Sequence, residues 1–333
     1  MKAVRIHAFG GPEVLQLEEV ATPVPASDEL LVQLYATSVN PADYVIREGG
    51  NDLLKPYLTL PRGLGFDVAG IVQALGAEVT NFRVGDAVYG IPNGLSGSYA
   101  EYVAAKATQF AHKPASLSFN EAGALPCCAL IAWNGIMDLG QVQPGQRVLI
   151  HGAAGGVGNL AVQLAKAKGA AVIGTASGQN HAFLRSLGAD EVIDYKKQRF
   201  ADLLRDIDVV FNASPVRDEQ ARLQAVQVLR PGGLFVCTQV DAPFSEALQQ
   251  ALAAKQAIGA FVGDTSLRLG NATPQHCLAA VANLVDAGQV KAIVSRVYPL
   301  TAVALAHQES ETRHVRGKLV LEIRTDESAD AAI

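Results

Sequence analysis

Gly152, Gly155, Gly156 and Gly158 fall together in the stretch 152–158. A turn made of residues without side chains lets backbone N–H groups approach a pyrophosphate, and a helix starting there adds partial positive charge. The context such a turn needs stands on both sides. RVLIHG (147–152) reads as a short apolar strand, and Val157, Leu160, Ala161, Leu164 and Ala165 recur on one helical face until Gly169 ends the helix. The predicted chemistry is dinucleotide binding, with Gly152, Ala153, Ala154, Gly155, Gly156, Val157 and Gly158 as the cradle.

An NAD-binding unit places an acid about 20 residues past the glycines, at the end of the second strand, to hold the ribose 2′-hydroxyl. Here that strand ends VIGTASGQN, with no acid from Val172 to Asn180. Such an acid would repel a 2′-phosphate, so its absence favours NADP(H). Thr175, Ser177 and Asn180 are hydrogen-bond donors to the phosphate, joined by Tyr195 at the end of the next strand. Thr175 and Ser177 carry a second reading, as caps of the following helix. No Arg or Lys lies in the loop, which limits the strength of the preference.

The elements that must hold this corner alternate in type. AAVIGTA reads as strand, a helix near 179–187 closes at Gly188, and EVIDY and DVVFNA follow as strands. A helix near 218–229, a turn at RPGG and the strand LFVCTQ complete the series. Strand–helix alternation predicts a parallel, doubly wound sheet, and hence an α/β fold. Before about residue 120 the texture differs: LLVQLYATSV, FDVAGIVQAL, DAVYGI and SYAEYVAA are short β-type runs broken by turn residues, predicting a mostly antiparallel β module. After IGAFVG come a helix near 274–287, the strand IVSRVYPL, a helix and the strand GKLVLEI, which rejoin the first module. The tail TDESADAAI is polar and is expected to fray. The expected division is 1–124, 125–263, 264–324 returning to the first domain, and 325–333 as tail.

At roughly 150 residues per domain, a chain of 333 residues fits two domains. Lys plus Arg total 27 against 32 Asp plus Glu, a net charge of −5 with no run of like charge, which argues against nucleic acid. With 49% hydrophobic and 18% charged residues, most of the chain is expected to pack. No apolar run approaches the roughly 18 to 20 residues a membrane span needs, so no membrane partner and a cytoplasmic location are expected. The four cysteines, Cys127, Cys128, Cys237 and Cys277, are too sparse for a disulfide framework, and the seven histidines form no metal-binding spacing. His151, just before the glycines, reads as a packed or surface residue, and Trp133 as core.

RVLIHGAAGGVGNLAVQLAKAKGA, SLGADEVIDY, LRPGG and RGKLVLEI, together with NPADYVIREG and GLGFDVAG, resemble the medium-chain dehydrogenase/reductase superfamily, in its zinc-free quinone oxidoreductase branch, over about residues 1–324. The resemblance implies a GroES-like β-rich domain, built from both ends of the chain, and a Rossmann domain, with the active site in the cleft between them. It also implies a homodimer through the strand around IGAFVG. Zinc-dependent members carry a Cys where Asn40 stands, three residues before Asp43, and Gly-His-Glu where this chain has Gly65-Phe66-Asp67. Cys127 lies near the place of another ligand. An amide, a phenyl ring and one thiolate do not make a zinc site, so no metal is expected.

By the same resemblance, Asn40, Asp43 and Tyr44 are the catalytic candidates, Phe66 fills the vacated metal region, and Ile131 and Phe261 line the substrate cleft. Ile131 stands where many relatives have a threonine that touches the nicotinamide. Phe261, Val262 and Gly263 flank the cofactor, and Asn212 and Arg316 join its site. For Asp43 and Tyr44 the structural reading stays open: Asp43 braces a helix and Tyr44 packs.

Without a metal to polarise an alcohol, the accessible chemistry is reduction. Hydride passed from NADPH to a quinone, or to the β-carbon of an α,β-unsaturated carbonyl, leaves a delocalised anion that needs a donor at its oxygen and a proton from water. The expected function is therefore an NADPH-dependent, zinc-free oxidoreductase acting on a small-molecule quinone or enone. The alternatives are a dehydrogenase of another carbonyl–alcohol pair, or a cofactor-binding protein with weak catalysis, crystallin-like or RNA-binding, the last opposed by the acidic balance.

Overall fold

The computed structural model describes residues 1–50, 55–92, 97–262 and 273–325. Gly263, expected beside the cofactor, and residues 326–333 of the expected tail lie outside the described residues. Internal contacts divide the chain into two units, Met1–Cys127 with Ala272–Gly288 and Ala292–Ile333, and Cys128–Asn271 with Gln289–Lys291.

In the first unit the strand Glu29–Ser38 buries Leu30, Val32, Leu34 and Ala36 at the period of two that a pleated strand imposes. It lies inside a seven-stranded sheet, pairing antiparallel with Val68–Leu75, Tyr102–Lys106 and Lys318–Glu322. Lys318–Glu322 also pairs in parallel with Val294–Pro299, so the C-terminal strands complete a sheet begun near the N-terminus. The helix Pro41–Arg47 leaves Glu29–Ser38 after two residues. Asn40 is its N-cap, Pro41 opens it, and Asp43 closes a capping box. A smaller sheet orders Gln16–Glu19, Lys2–Ile6 and Arg62–Gly63, with Arg62 opposite Ile6.

The second unit is a six-stranded parallel sheet in the order Glu191–Asp194, Ala171–Ala176, Arg147–His151, Ile207–Asn212, Leu229–Cys237, Ile258–Phe261. The winding reverses between Arg147–His151 and Ile207–Asn212, so the crevice at their carboxyl ends is where a doubly wound sheet binds its ligand. Leu149, Ile173, Val210, Phe235 and Leu248 belong to the core beneath it.

Two local expectations are corrected. RPGG lies inside the strand Leu229–Cys237 rather than between elements, as an unpaired bulge: the pairing to Ile207–Asn212 passes from Leu229 opposite Ile207 to Leu234 opposite Val209, with Gly232 at φ +71°. The Pro-Gly signal marks this interruption of the ladder. The helix near 179–187 starts as a 3-10 turn, Gly178–Asn180, and becomes α-helical only over His181–Ser186. Among the described residues no helix is long and apolar enough to cross a membrane.

Candidate active site

The glycine corner is built by close packing on one side and open space on the other. Gly152 has φ +76°, and a Cβ there would lie 2.8 Å from the Ser214 nitrogen. A Cβ on Gly158 would come within 2.2 Å of the Gly152 carbonyl oxygen, so the helix Gly156–Ala167 sits hard against the turn. At Gly155, by contrast, a Cβ would meet nothing nearer than the Gly152 oxygen at 3.6 Å. No side chain caps this helix at Gly155, so its first amides and positive end face open space. That is the environment a pyrophosphate requires, and the residues present fit a dinucleotide.

Around the corner, side chains expected at the cofactor turn out to be braces. Thr175 is 1% exposed, its Oγ1 lies 2.7 Å from His151 Nδ1 and accepts from the Gly152 amide at 3.3 Å. It ties the turn to the second strand and is withdrawn from the phosphate role. Burial also pushes the His151 pKa down. Asn212 is buried, its Oδ1 accepting from the Ser214 amide at 3.1 Å, so it shapes the loop opposite Gly152 rather than reaching outward. Ala153 is buried, Ala154 and Val157 are half-buried, and Val262 donates its amide to the Cys237 carbonyl at 3.0 Å. Ser177 and Asn180 remain at the loop, 3.3 Å apart through Asn180 Nδ2 and Ser177 Oγ, and Tyr195 is exposed beyond the third strand.

One acid was missed. Asp194 pairs in register with Ala176, and its Oδ2 lies 3.0 Å from where a Cβ on Gly178 would stand. The second strand and its loop, 172–180, carry no carboxylate of their own. A parallel neighbour brings Asp194 to the same loop.

In the first unit the three catalytic candidates are also committed internally. Asn40 is 3% exposed: its Nδ2 donates to Asp67 Oδ2 at 2.8 Å, and its Oδ1 accepts from Lys318 Nζ at 2.6 Å. Lys318 Nζ also donates to the Val39 carbonyl at 2.8 Å and stands 3.5 Å from Asp67 Oδ2. Asp67, fully buried, accepts in addition from Ser38 Oγ and from the Cys127 amide. Asn40, a catalytic candidate by resemblance, is in this structure the link of a buried lysine–aspartate pair. Sequence reasoning met Asp67 only as the residue in place of a glutamate of zinc-dependent members, and Lys318 not at all.

Asp43 is fully buried, accepting from the Asn40 amide (2.8 Å) and Tyr99 hydroxyl (2.8 Å) at Oδ2 and from the Gly65 amide (2.9 Å) at Oδ1. These contacts make it a helix brace, the structural reading the sequence left open. Tyr44 is buried, its phenol pushed up by desolvation and opposed by a hydrogen bond with Arg313, so it too is a packed residue. Phe66 is half-buried against the core that holds Val4, Ile6 and Leu64. Ile131 is half-buried on the helix Pro126–Trp133, and Phe261 stacks on Phe244 with centroids 4.3 Å apart. Arg316 is exposed, two residues ahead of the strand Lys318–Glu322. Among the described residues no three His, Cys, Asp or Glu side chains gather as a metal-holding group.

Asp43 has a measurable consequence. Burial, partly opposed by its three donors, raises its pKa from 3.8 to about 6. The folded state holds this proton more tightly than the unfolded chain, so the contribution is fully present below pH 3.8 and is lost as pH rises to about 6. The shift corresponds to on the order of 3 kcal/mol at about 1.4 kcal/mol per pH unit. Denaturant unfolding at stepped pH is expected to show this downward slope, flattened in Asp43→Asn. An identical slope in the variant assigns it elsewhere.

Comparison with known proteins identifies two family domains along the chain. Residues 26–115 match the alcohol dehydrogenase GroES-like domain, and residues 187–321 match the zinc-binding dehydrogenase domain. The chain is 32% identical to the quinone oxidoreductase of Sus scrofa over 339 aligned positions, covering 96% of this chain and 97% of that protein. The structure of the quinone oxidoreductase from Coxiella burnetii superposes with a TM-score of 0.85 at 35% identity, covering 97% and 99% of the two chains. The Escherichia coli quinone oxidoreductase complexed with NADPH gives 0.82 at 29% identity, covering 97% and 100%. With its two units built as a GroES-like sheet domain and a Rossmann-like parallel sheet, the chain belongs to the medium-chain dehydrogenase/reductase superfamily, in the quinone oxidoreductase branch.

Proposed function

We propose that the protein is an NADPH-dependent oxidoreductase that reduces quinones or α,β-unsaturated carbonyl compounds without a catalytic metal. That it is an oxidoreductase using a nicotinamide cofactor follows from its family. The observation that carries the finer reading is the side-chain set at positions 40, 66 and 67. The amide of Asn40 and the carboxylate of Asp67 are occupied by Lys318, and Phe66 offers no ligand atom. A chain whose own ammonium ion takes up the polar groups there suits acceptors that need no Lewis acid.

When bound, the cofactor supplies the hydride. The open N-terminus of the helix Gly156–Ala167 would hold its pyrophosphate, and Ser177, Asn180 and Tyr195 would meet the ribose end. Reduction of a conjugated acceptor leaves its charge spread over oxygen, where water delivers the proton, so no strong side-chain acid is required.

NADPH consumption with a panel of quinones and enones, run in parallel with NADH and with simple alcohols plus oxidised cofactor, tests this. NADPH is expected to be preferred by about tenfold, near the lower end of what a charge-assisted phosphate contact supplies, because the Asp194 carboxylate lies at the same loop. Asp194→Asn is expected to widen the preference. Equal or faster turnover with NADH, or activity confined to alcohols, overturns the reading.

A further inference from the structure

We propose that Arg62 forms a site for the carboxylate of a conjugated ligand, presented at the mouth of a recess beside Phe66. The proposal rests on the function proposed above and narrows its acceptor class to quinones or enones that carry a carboxylate.

Arg62 is 7% exposed on the short strand Arg62–Gly63. Its guanidinium has five N–H donors and no acceptor. Its Nε is buried with no partner, and its side chain joins no ion pair among the described residues. Desolvation holds its pKa below the ordinary arginine value, as expected for a cation with nothing to offset its burial. Other buried cations of this unit are treated differently. Arg47 donates to the Gly10 carbonyl, Glu48 and Glu311, and Lys318 to Val39 and Asn40. A buried charge is tolerated where hydrogen bonds replace its water. For Arg62 none is found among the described residues, and its two terminal nitrogens, which are not enclosed as Nε is, can be reached by a partner from outside.

The surroundings say what kind. Arg62 borders a recess with Asp43, Ile46, Leu64 and Phe66 and the glycines between them. The carboxylate of Asp43 is already filled by three donors and forms no ion pair with Arg62. The recess does not enclose a water-sized volume, so a ligand is not swallowed but lays an edge against it. A carboxylate is a flat edge of two oxygens that matches the guanidinium fork, and the half-buried ring of Phe66 gives a conjugated plane an apolar face to lie on.

Calorimetric titration of the full chain with benzoate and with its neutral isostere benzamide tests the site directly. Benzoate is expected to bind at least tenfold more tightly. Arg62→Met is expected to abolish that preference and Arg62→Lys to weaken it severalfold, with circular dichroism reporting the fold of each. Equal binding of the two probes by the unmodified protein, or an undiminished preference in either folded variant, overturns the proposal. Inorganic phosphate competing as strongly as benzoate overturns the carboxylate assignment in favour of a general anion site. Turnover is read separately with menadione, a neutral quinone, and with a naphthoquinone that bears a carboxylate: activity with neither, with the benzoate preference intact, removes the reductase reading and leaves the carboxylate site, whereas menadione reduced as readily as the carboxylated quinone overturns the narrowing of the acceptor class.

Discussion

Gly155→Val is expected to weaken NADPH binding at least a hundredfold while leaving the protein folded. Gly155 has φ −73° and ψ 176°, extended backbone open to any residue, and a Cβ there meets only the Gly152 oxygen at 3.6 Å. The Cβ therefore enters without a clash, and the branched side chain is expected to cover the first turn of the helix Gly156–Ala167, where the pyrophosphate is proposed to lie. Hydrogen bonds to a charged group contribute about 1.5 to 3 kcal/mol each, so displacing two reaches the roughly 2.7 kcal/mol that a hundredfold represents. Gly158→Ala is the contrast: its Cβ would strike the Gly152 oxygen at 2.2 Å and force helix and turn apart. That variant is expected to lose stability and cofactor together, overpacking costing about 1 to 3 kcal/mol. Calorimetric NADPH titration beside thermal unfolding separates the two, and a folded Gly155→Val protein with affinity within a few-fold of the original removes the corner from the site.

The corner was legible because its signal is local. A strand, the four glycines of 152–158 and an apolar helical face ended by Gly169 lie within 147–169, and the periodicities that define them need no distant partner. The capping box of Asn40 and Asp43 was legible for the same reason, as a spacing of three, although resemblance drew both residues toward catalysis. Lys318 was not, since it meets Asn40 across 278 residues and only the pairing of Lys318–Glu322 with Glu29–Ser38 brings them together. Asp194 reaches the Gly178 loop through strand register, which a reading along one strand cannot see. Thr175 shows the converse limit: its type suits a phosphate donor, but its hydroxyl faces His151 because the second strand is buried on both sides.

Lys318→Met is expected to lower folding stability by about 3 to 5 kcal/mol, the cost of removing one partner of a buried ion pair. The deleted ammonium leaves the Asn40 Oδ1 and Val39 carbonyl without their donor, and leaves Asp67, fully buried, as a carboxylate facing amide and hydroxyl donors but no cation. Methionine keeps most of the chain's volume, so lost packing is a smaller share. The stranded carboxylate, not the lost packing, is the larger part of the expected deficit. Adding Asp67→Asn to Lys318→Met removes the stranded charge and is expected to recover part of the loss, a coupling of about 0.5 to 3 kcal/mol. Chemical denaturation of the single variants and the double variant completes the cycle: additive losses would reduce Lys318 to a packing residue.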